Sequence, residues 1–208
     1  MCIRDSYFTL HIGVNKYHPD SKVPHLGGCA KDVSDLVEYL NDIIPTNQLH
    51  SKVLLDDEAT YQNVIDHFGD KHLLKAGAED VVLIQYSGHG AREKAAPEFY
   101  THFPDGYNET LVCYDSRVPD GRDLADKELA ILVDRIASKG THVVIIFDCC
   151  HSGSALKDIN MRKRQFLAKN ETRPYENYLD GYFAKKYPNG EGLSIPNSKH
   201  ILLSLIHI

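Results

Sequence analysis

Two continuous apolar runs constrain the fold of this chain more than any other feature of its sequence. Residues 81–86 read VVLIQY and residues 143–147 read VVIIF. Runs of this kind lack the polar alternation of a half-exposed strand and are typical of strands covered on both faces of a parallel sheet. We therefore expect two buried strands in a sheet that carries helices on both sides.

The rest of the chain alternates between strand and helix patterns. Further strands are predicted at residues 7–14, 51–55 and 200–203. Apolar residues recur at helical spacing after Ala30, after Thr60 (a predicted N-cap) and over residues 129–136. This alternation predicts an α/β fold with a mostly parallel sheet flanked by helices. Two stretches lack such patterns: residues 91–122 read as a long excursion with one hairpin at 110–114, and residues 157–199 as a polar linker with one helix.

Composition narrows the class of protein. A chain of 208 residues suits one globular domain, and no apolar run approaches the roughly 20 residues of a membrane span, so no membrane partner is expected. The net charge of −6 argues against a nucleic-acid partner bound through a general basic surface. Five cysteines without a CxxC pair or a secretory leader favour free thiols and a cytoplasmic location.

The first and last six residues of the chain match an artificial nucleotide sequence. Residues 1–6 (MCIRDS) and 203–208 (LSLIHI) correspond to translations of a short nucleotide sequence and its reverse complement, as at the inverted ends of transposon-based sequencing libraries. We expect both hexapeptides to be adapter translation, with the natural chain represented by residues 7–202 and continuing past both ends. Coincidence is the alternative, and neither hexapeptide enters a functional argument.

Chemically useful residues follow the two apolar runs directly. SGHG occupies residues 87–90 and DCCHSG residues 148–153. Ligands of open α/β sheets bind outside the carboxyl ends of the strands, so neighbouring strands would bring a histidine and a cysteine together there. A thiol is a strong nucleophile at neutral pH, and an adjacent imidazole raises its thiolate fraction. This pairing predicts nucleophilic catalysis.

These motifs resemble those of the caspase-like cysteine peptidases, specifically the metacaspases and orthocaspases. YSGHG and DCCHSG carry the resemblance, and GVNKY, LGGCAKDV, ETLVCYD, DLADKEL and HILLSL extend it over about residues 7–202. The resemblance implies a caspase-like fold and a cysteine-type endopeptidase. It also implies a large-subunit-like part at 7–156, a linker at 157–199 and the start of a small-subunit-like part at 200–202, with the C-terminal part truncated.

The resemblance assigns roles within the two motifs. Cys150 is the expected nucleophile, His89 the general base and acid, and the backbone N–H groups of Gly90 and Cys150 the oxyanion donors. Cys149 is expected to point into the core. His151 is an alternative base, but neighbouring residues usually point apart, which favours His89.

Substrate preference follows from the same comparison. Metacaspases cut after Arg or Lys and use carboxylates to bind that side chain, and the matching positions here are Asp32 and Asp148, with Cys29 and Ser87 beside them. We therefore expect peptide or protein substrates with Arg or Lys at the cleaved position. The alternative is that Asp32 only solvates the start of a helix.

Calcium and self-cleavage are further expectations from the resemblance. Asp115 and Asp126 are candidate calcium ligands, but Lys127 stands where calcium-dependent relatives carry a second Asp, so we expect no required cofactor. The run MRKR offers Arg162, Lys163 and Arg164 as self-cleavage sites, the alternatives being a solvated linker or a short nucleic-acid patch.

Two other functions fit the sequence less well. A catalytically silent caspase-like module for binding or scaffolding is disfavoured because the candidate site residues are intact. A serine α/β hydrolase is disfavoured because no GxSxG motif occurs.

Overall fold

The computed structural model describes residues 6–149 and 169–204. In these ranges the helices and strands are β1 (Tyr7–Gly13), α1 (Cys29–Ile43), β2 (Leu49–Leu55), α2 (Tyr61–Phe68), β3 (Val81–Ser87), β4 (Gly90–Lys94), β5 (Tyr107–Leu111), β6 (Leu124–Ala125), α3 (Asp126–Ala137), β7 (His142–Asp148), β8 (Lys169–Thr172), α4 (Tyr182–Lys186) and β9 (Ile201–Ser204). Within them, no helix is both long enough and apolar enough to cross a membrane.

A five-stranded parallel sheet organises the molecule. Its order is β2-β1-β3-β7-β9, and every neighbouring pair is parallel. The two apolar runs are β3 and β7, which lie side by side. The predicted α/β class and the mostly parallel sheet are confirmed.

The two faces of this sheet are covered differently. One face of β3 contributes Val82, Ile84 and Tyr86 to the main core, which also contains buried residues of α2 and α3. The alternating residues Gln85 and Ser87 point the opposite way and bond to α1. The sheet is therefore flanked by helices on both faces, as the sequence predicts.

Short polar contacts set the starts of the first two helices. Thr60 caps α2 as predicted, because its side chain accepts a hydrogen bond from the Asn63 N–H at 3.2 Å. At α1 the N-cap is Gly28, and the acceptor is Asn15 Oδ1, which takes the Gly28 and Cys29 N–H groups at 3.2 and 2.9 Å. Asn15 follows β1 closely, so this contact holds the start of α1 beside the carboxyl edge of the sheet.

A second sheet replaces most of the predicted excursion. Its order is β6-β5-β4-β8, with β4 and β5 antiparallel over residues 90–94 and 107–111. The hairpin predicted at 110–114 covers only the end of β5, which pairs antiparallel with both β4 and β6 through connections at residues 95–106 and 112–123. The strand β4 was missed because it reads GAREK, a polar sequence in which Ala91 and Glu93 are nevertheless buried.

The described part of the predicted linker packs into the main core. It contains one short helix, α4, as predicted. Three of its aromatic residues surround Phe99, with ring centroids 5.3 Å away for Tyr175, 4.9 Å for Tyr178 and 5.2 Å for Phe183. These aromatic residues lie among polar residues without regular spacing, so periodicity did not reveal them. The division into large, linker and small parts stays a prediction.

Candidate active site

The carboxyl edge of the parallel sheet gathers the predicted site residues. Gly13, Ser87 and Asp148 are opposite one another at the ends of β1, β3 and β7. His89 follows β3 by two residues, and Cys149 follows β7 directly. The strand adjacency on which the histidine–cysteine pairing depends is therefore present, while Cys150 and His151 lie outside the described residues.

The imidazole of His89 is buried and oriented by a backbone carbonyl. Its Nε2 lies 3.0 Å from the Pro24 oxygen, and the residue is 2% exposed. A carbonyl can only accept, so Nε2 carries the hydrogen and, in the neutral ring, Nδ1 carries the lone pair. The Pro24 carbonyl thus selects the tautomer in which Nδ1 is the basic nitrogen.

Two tyrosines fix the backbone of His89. Its N–H donates to the Tyr17 hydroxyl at 2.8 Å, and the two rings pack with centroids 5.3 Å apart. The Tyr86 hydroxyl lies 2.7 Å from the His89 carbonyl oxygen and 2.9 Å from that of Val112. Burial raises the pKa of both phenols, which keeps them neutral. His89 is therefore held at its ring, its N–H and its carbonyl.

Gly88 gives Tyr86 the space for this contact. A Cβ at position 88 would lie 2.5 Å from the Tyr86 hydroxyl oxygen, which is fully buried and has little room to move. The position before His89 therefore requires a residue without a side chain. Tyr17 and Tyr86 belong to the GVNKY and YSGHG motifs, but sequence reasoning gave them no role, and it gave Pro24 no signal.

Three of the four predicted substrate-binding residues meet at the carboxyl end of β3, two positions before His89. The buried Ser87 hydroxyl donates to Asp32 Oδ2 at 2.9 Å. Asp148 Oδ2 lies 3.5 Å from the Ser87 hydroxyl oxygen. The fourth, Cys29, is buried at the start of α1. Two carboxylates around one hydroxyl give this end of the sheet a negative charge.

The contacts of Asp32 differ from those expected if its carboxylate only solvated the start of a helix. Asn15 takes the Gly28 and Cys29 N–H groups, whereas the carboxylate of Asp32 turns to Ser87 on β3. Asp32 is in the first turn of α1, where the helix dipole also favours an anion. The carboxylate therefore faces the site residues of the sheet.

The two candidate calcium ligands make separate contacts. Asp115 Oδ1 accepts the Tyr61 N–H at 2.8 Å, whereas the Asp126 oxygens lie 3.1 and 3.2 Å from Lys127 Nζ. Over residues 6–149 and 169–204, no group of three or more His, Cys, Asp or Glu side chains is arranged to hold a metal ion.

Lys127 itself is an unusual lysine. It is 1% exposed, its ammonium donates to the Tyr107 carbonyl at 3.1 Å, and it lies 3.9 Å from the Phe103 ring centroid. An acidic partner, a carbonyl and an aromatic face together stabilise the buried cation.

The remaining predicted residues have less structural context. Gly90 is buried and begins β4 directly after His89. Its role as an oxyanion donor stays a prediction. The self-cleavage candidates Arg162, Lys163 and Arg164 lie outside the described residues.

A family model and several known proteins are similar to this chain in sequence. Residues 9–159 match the family model described as metacaspase, peptidase C14 domain. Metacaspase III c of Phaeodactylum tricornutum is 32% identical over 151 residues, which cover 71% of this chain and 43% of that protein. Metacaspase-1B of Aspergillus terreus is 30% identical over 190 residues, 88% of this chain and 48% of that protein. The chain thus spans less than half the length of these relatives.

A solved structure extends the similarity to the fold. The crystal structure of a protein from Geobacter sulfurreducens superposes with a TM-score of 0.62 at 23% sequence identity. The match covers 96% of this chain and 72% of the other. At this identity the match shows a shared fold and nothing about activity.

Proposed function

Because this chain belongs to the metacaspase family of C14 peptidases, we propose that it is a cysteine endopeptidase that hydrolyses peptide bonds after Arg or Lys, with Cys150 and His89 as its catalytic dyad. The observation that carries the proposal is the fixed tautomer of His89. Its Nε2–H is bound by the Pro24 carbonyl, which leaves Nδ1 as the nitrogen that accepts and returns a proton.

The proposed reaction passes through one covalent acyl-enzyme, and His89 relays a proton in each of its two halves. Nδ1 of His89 takes the proton of the Cys150 thiol, and the thiolate attacks the carbonyl carbon of the substrate. The Gly90 and Cys150 N–H groups stabilise the oxyanion, and His89 then protonates the leaving amine. Water, deprotonated by the same nitrogen, then attacks the thioester carbon, the C–S bond breaks, and His89 returns that proton to the Cys150 sulfur.

Charge supports the preference for a basic side chain. Asp32 and Asp148 both lie around the Ser87 hydroxyl, so a cationic group entering there replaces the repulsion between carboxylates with attraction. A guanidinium can bind two carboxylate oxygens at once, and an ammonium binds as a point charge. An Asp side chain would add a third negative charge and is expected to be rejected.

The decisive test is turnover of fluorogenic peptides that end in Arg, Lys or Asp by the full-length protein. Cys150→Ala and His89→Ala should each lower turnover of Arg and Lys peptides by roughly a thousandfold or more. Cys149→Ala is the matched control, because it removes the neighbouring thiol and should retain activity. Preference for Asp would overturn the specificity, and a folded wild type without turnover would favour the silent binding module.

We also propose that activity does not require calcium. The buried ammonium of Lys127 already pairs with Asp126, so a calcium ion there would have to displace a cation and its three contacts. Turnover should be unchanged in excess chelator, and loss of turnover reversed by calcium would overturn this.

Self-processing is the remaining part of the proposed function. Cleavage after Arg162, Lys163 or Arg164 would fit the proposed basic specificity. Mass spectrometry should then find fragments ending at these residues in purified wild type and intact chain in Cys150→Ala. Intact wild type would leave the run as an ordinary linker.

A further inference from the structure

A row of buried polar side chains runs beneath α1, on the sheet face opposite the main core. Thr9 and His11 of β1 and Gln85 of β3 are 1%, 0% and 5% exposed. Burying a polar group without a hydrogen-bond partner costs free energy, so we expect each member of the row to be paired within the protein. Its outer end is the exposed Ser51 on β2, and its inner end is the first turn of α1.

Each neighbouring pair in the row is within hydrogen-bond distance. Ser51 Oγ lies 2.8 Å from Thr9 Oγ1, which lies 2.9 Å from His11 Nε2. His11 Nδ1 lies 2.7 Å from Gln85 Oε1. The Gln85 amide then donates from Nε2 to the backbone carbonyl of Asp32 at 3.2 Å.

The chemistry of these groups fixes the direction of every bond. Because Gln85 Nε2 donates to a carbonyl, its oxygen faces His11 and must accept, so Nδ1 of His11 carries a hydrogen. Burial is the largest influence on His11 and lowers its pKa, which keeps the ring neutral. Nε2 therefore accepts from the Thr9 hydroxyl, which in turn accepts from Ser51. The donors run in one direction, from Ser51 to Asp32.

Two residues of β3 thereby hold Asp32 at two points. Gln85 and Ser87 are two positions apart and so point to the same face of the strand. Gln85 binds the carbonyl of Asp32 at 3.2 Å, and Ser87 binds its carboxylate at 2.9 Å. The first contact sets where the turn of α1 lies on the sheet, and the second sets where the carboxylate points.

We propose that Gln85 is a positioning residue for substrate specificity, which places Asp32 for recognition of a basic side chain, and that His11 fixes the orientation of the Gln85 amide. This proposal rests on the proposed function of Asp32. Bidentate pairing with a guanidinium requires carboxylates in fixed positions, so a shift of the first turn of α1 weakens binding of the basic side chain. The chemical step at Cys150 and His89 does not depend on it.

The test compares peptides that carry Arg or its neutral isostere citrulline at the cleaved position. Gln85→Leu should raise KM for the Arg peptide about tenfold and lower the preference for Arg over citrulline by a similar factor, with kcat retained. Thr9→Val is the matched control. It disturbs the same buried row but leaves the Gln85–Asp32 bond, so it should lower stability without changing the Arg preference.

A second variant covers the case in which Gln85→Leu fails to fold. Gln85→Met keeps the length of the side chain and adds no charge, but it has no hydrogen for the Asp32 carbonyl, so the Arg preference should fall as well. Equal loss of preference in Thr9→Val, or an unchanged preference in the folded Gln85 variants, would overturn the proposal. A wild type that does not prefer Arg would overturn the proposed specificity, and this inference with it.

Discussion

The polar row beneath α1 and the polar cluster around Arg173 are both buried, but the row is neutral and the cluster is ionic. Arg173, Glu93 and Glu128 are 7%, 1% and 0% exposed. The guanidinium binds both carboxylate oxygens of Glu128, at 2.6 and 3.0 Å, and lies 3.3 Å from Glu93 Oε1. It also lies 4.1 Å from the Tyr178 ring centroid.

The two sets join different parts of the molecule. The neutral row links three strands to the start of α1. The ionic cluster links β4, through Glu93, and α3, through Glu128, to the segment after β8, through Arg173. Glu128 is additionally bound by the Tyr61 hydroxyl at 2.6 Å and the Leu179 N–H at 2.8 Å.

The difference predicts how each set fails. Removing one member of a neutral row leaves neighbouring dipoles without a partner, which costs about 1–3 kcal/mol for each one that water cannot reach. Removing one member of a buried ion pair leaves an uncompensated charge, which costs more. We therefore expect loss of the cation of the ionic set to cost more than loss of a member of the neutral row.

The largest expected effect is that of Arg173→Met. It leaves the Glu128 and Glu93 carboxylates buried without their cation and should reduce the free energy of unfolding by about 3–5 kcal/mol. Urea unfolding followed by circular dichroism measures this. Arg135→Met is the control, because Arg135 is exposed and lies over the Tyr182 ring, and it should change stability by less than about 1 kcal/mol. Equal effects would remove the contrast between buried and exposed arginines.

Glu93 should give the second largest effect, through pH. Burial raises its pKa from 4.5 to about 7 although Arg173 opposes the shift, so between these values the folded protein binds more protons than the unfolded chain. Stability attributable to Glu93 therefore falls as the pH rises from 4.5 to 7, by about 2–3 kcal/mol.

Unfolding of wild type and Glu93→Gln at pH 5 and pH 7.5 tests this sign, and the variant should lack the decline. If the wild type, relative to Glu93→Gln, were less stable at pH 5 than at pH 7.5, the predicted sign would be wrong. The neutral row has the opposite dependence: burial lowers the pKa of His11 from 6.5, so its contribution is lost as the pH falls below that value.

Thr9→Val should have a smaller effect. It removes the hydroxyl that donates to His11 Nε2 while nearly keeping the volume, and should cost about 1–2 kcal/mol in the same unfolding experiment. A loss as large as that of Arg173→Met would mean that the neutral row is no more tolerant than the ionic cluster.

Ser51→Ala should have the smallest effect of the series. Ser51 is exposed, so water can take its place as the donor to Thr9, and the expected loss is below about 0.5 kcal/mol. A larger loss would show that the row depends on its outermost donor.

Local patterns were sufficient for the main sheet and for part of the site. The apolar runs of β3 and β7 and the Thr60 cap depend on neighbouring residues, and the resemblance singled out His89 and Asp32. The contacts that orient those two residues were not predictable in this way. Pro24 and Gln85 reach them across 65 and 53 residues, and only the folded sheet brings them together.

Buried charged residues were the other features that could not be predicted from the sequence. Arg173 and Lys127 belong to residue types that are almost always exposed, so sequence reasoning treated their surroundings as solvated or as part of a metal site. Their burial depends on carboxylates and aromatic rings from several elements. Such an arrangement has no period and no local motif.

The long separations within the site have a consequence for control of the chemistry. The Asp32–Ser87, His89–Pro24 and His89–Tyr17 bonds span 55, 65 and 72 residues. A nascent or partly unfolded chain therefore carries its thiols but has neither the oriented His89 ring nor the pairing of Asp32 with Ser87. If the proposed peptidase function is correct, the chain can cleave substrates only after it has folded, which prevents premature proteolysis.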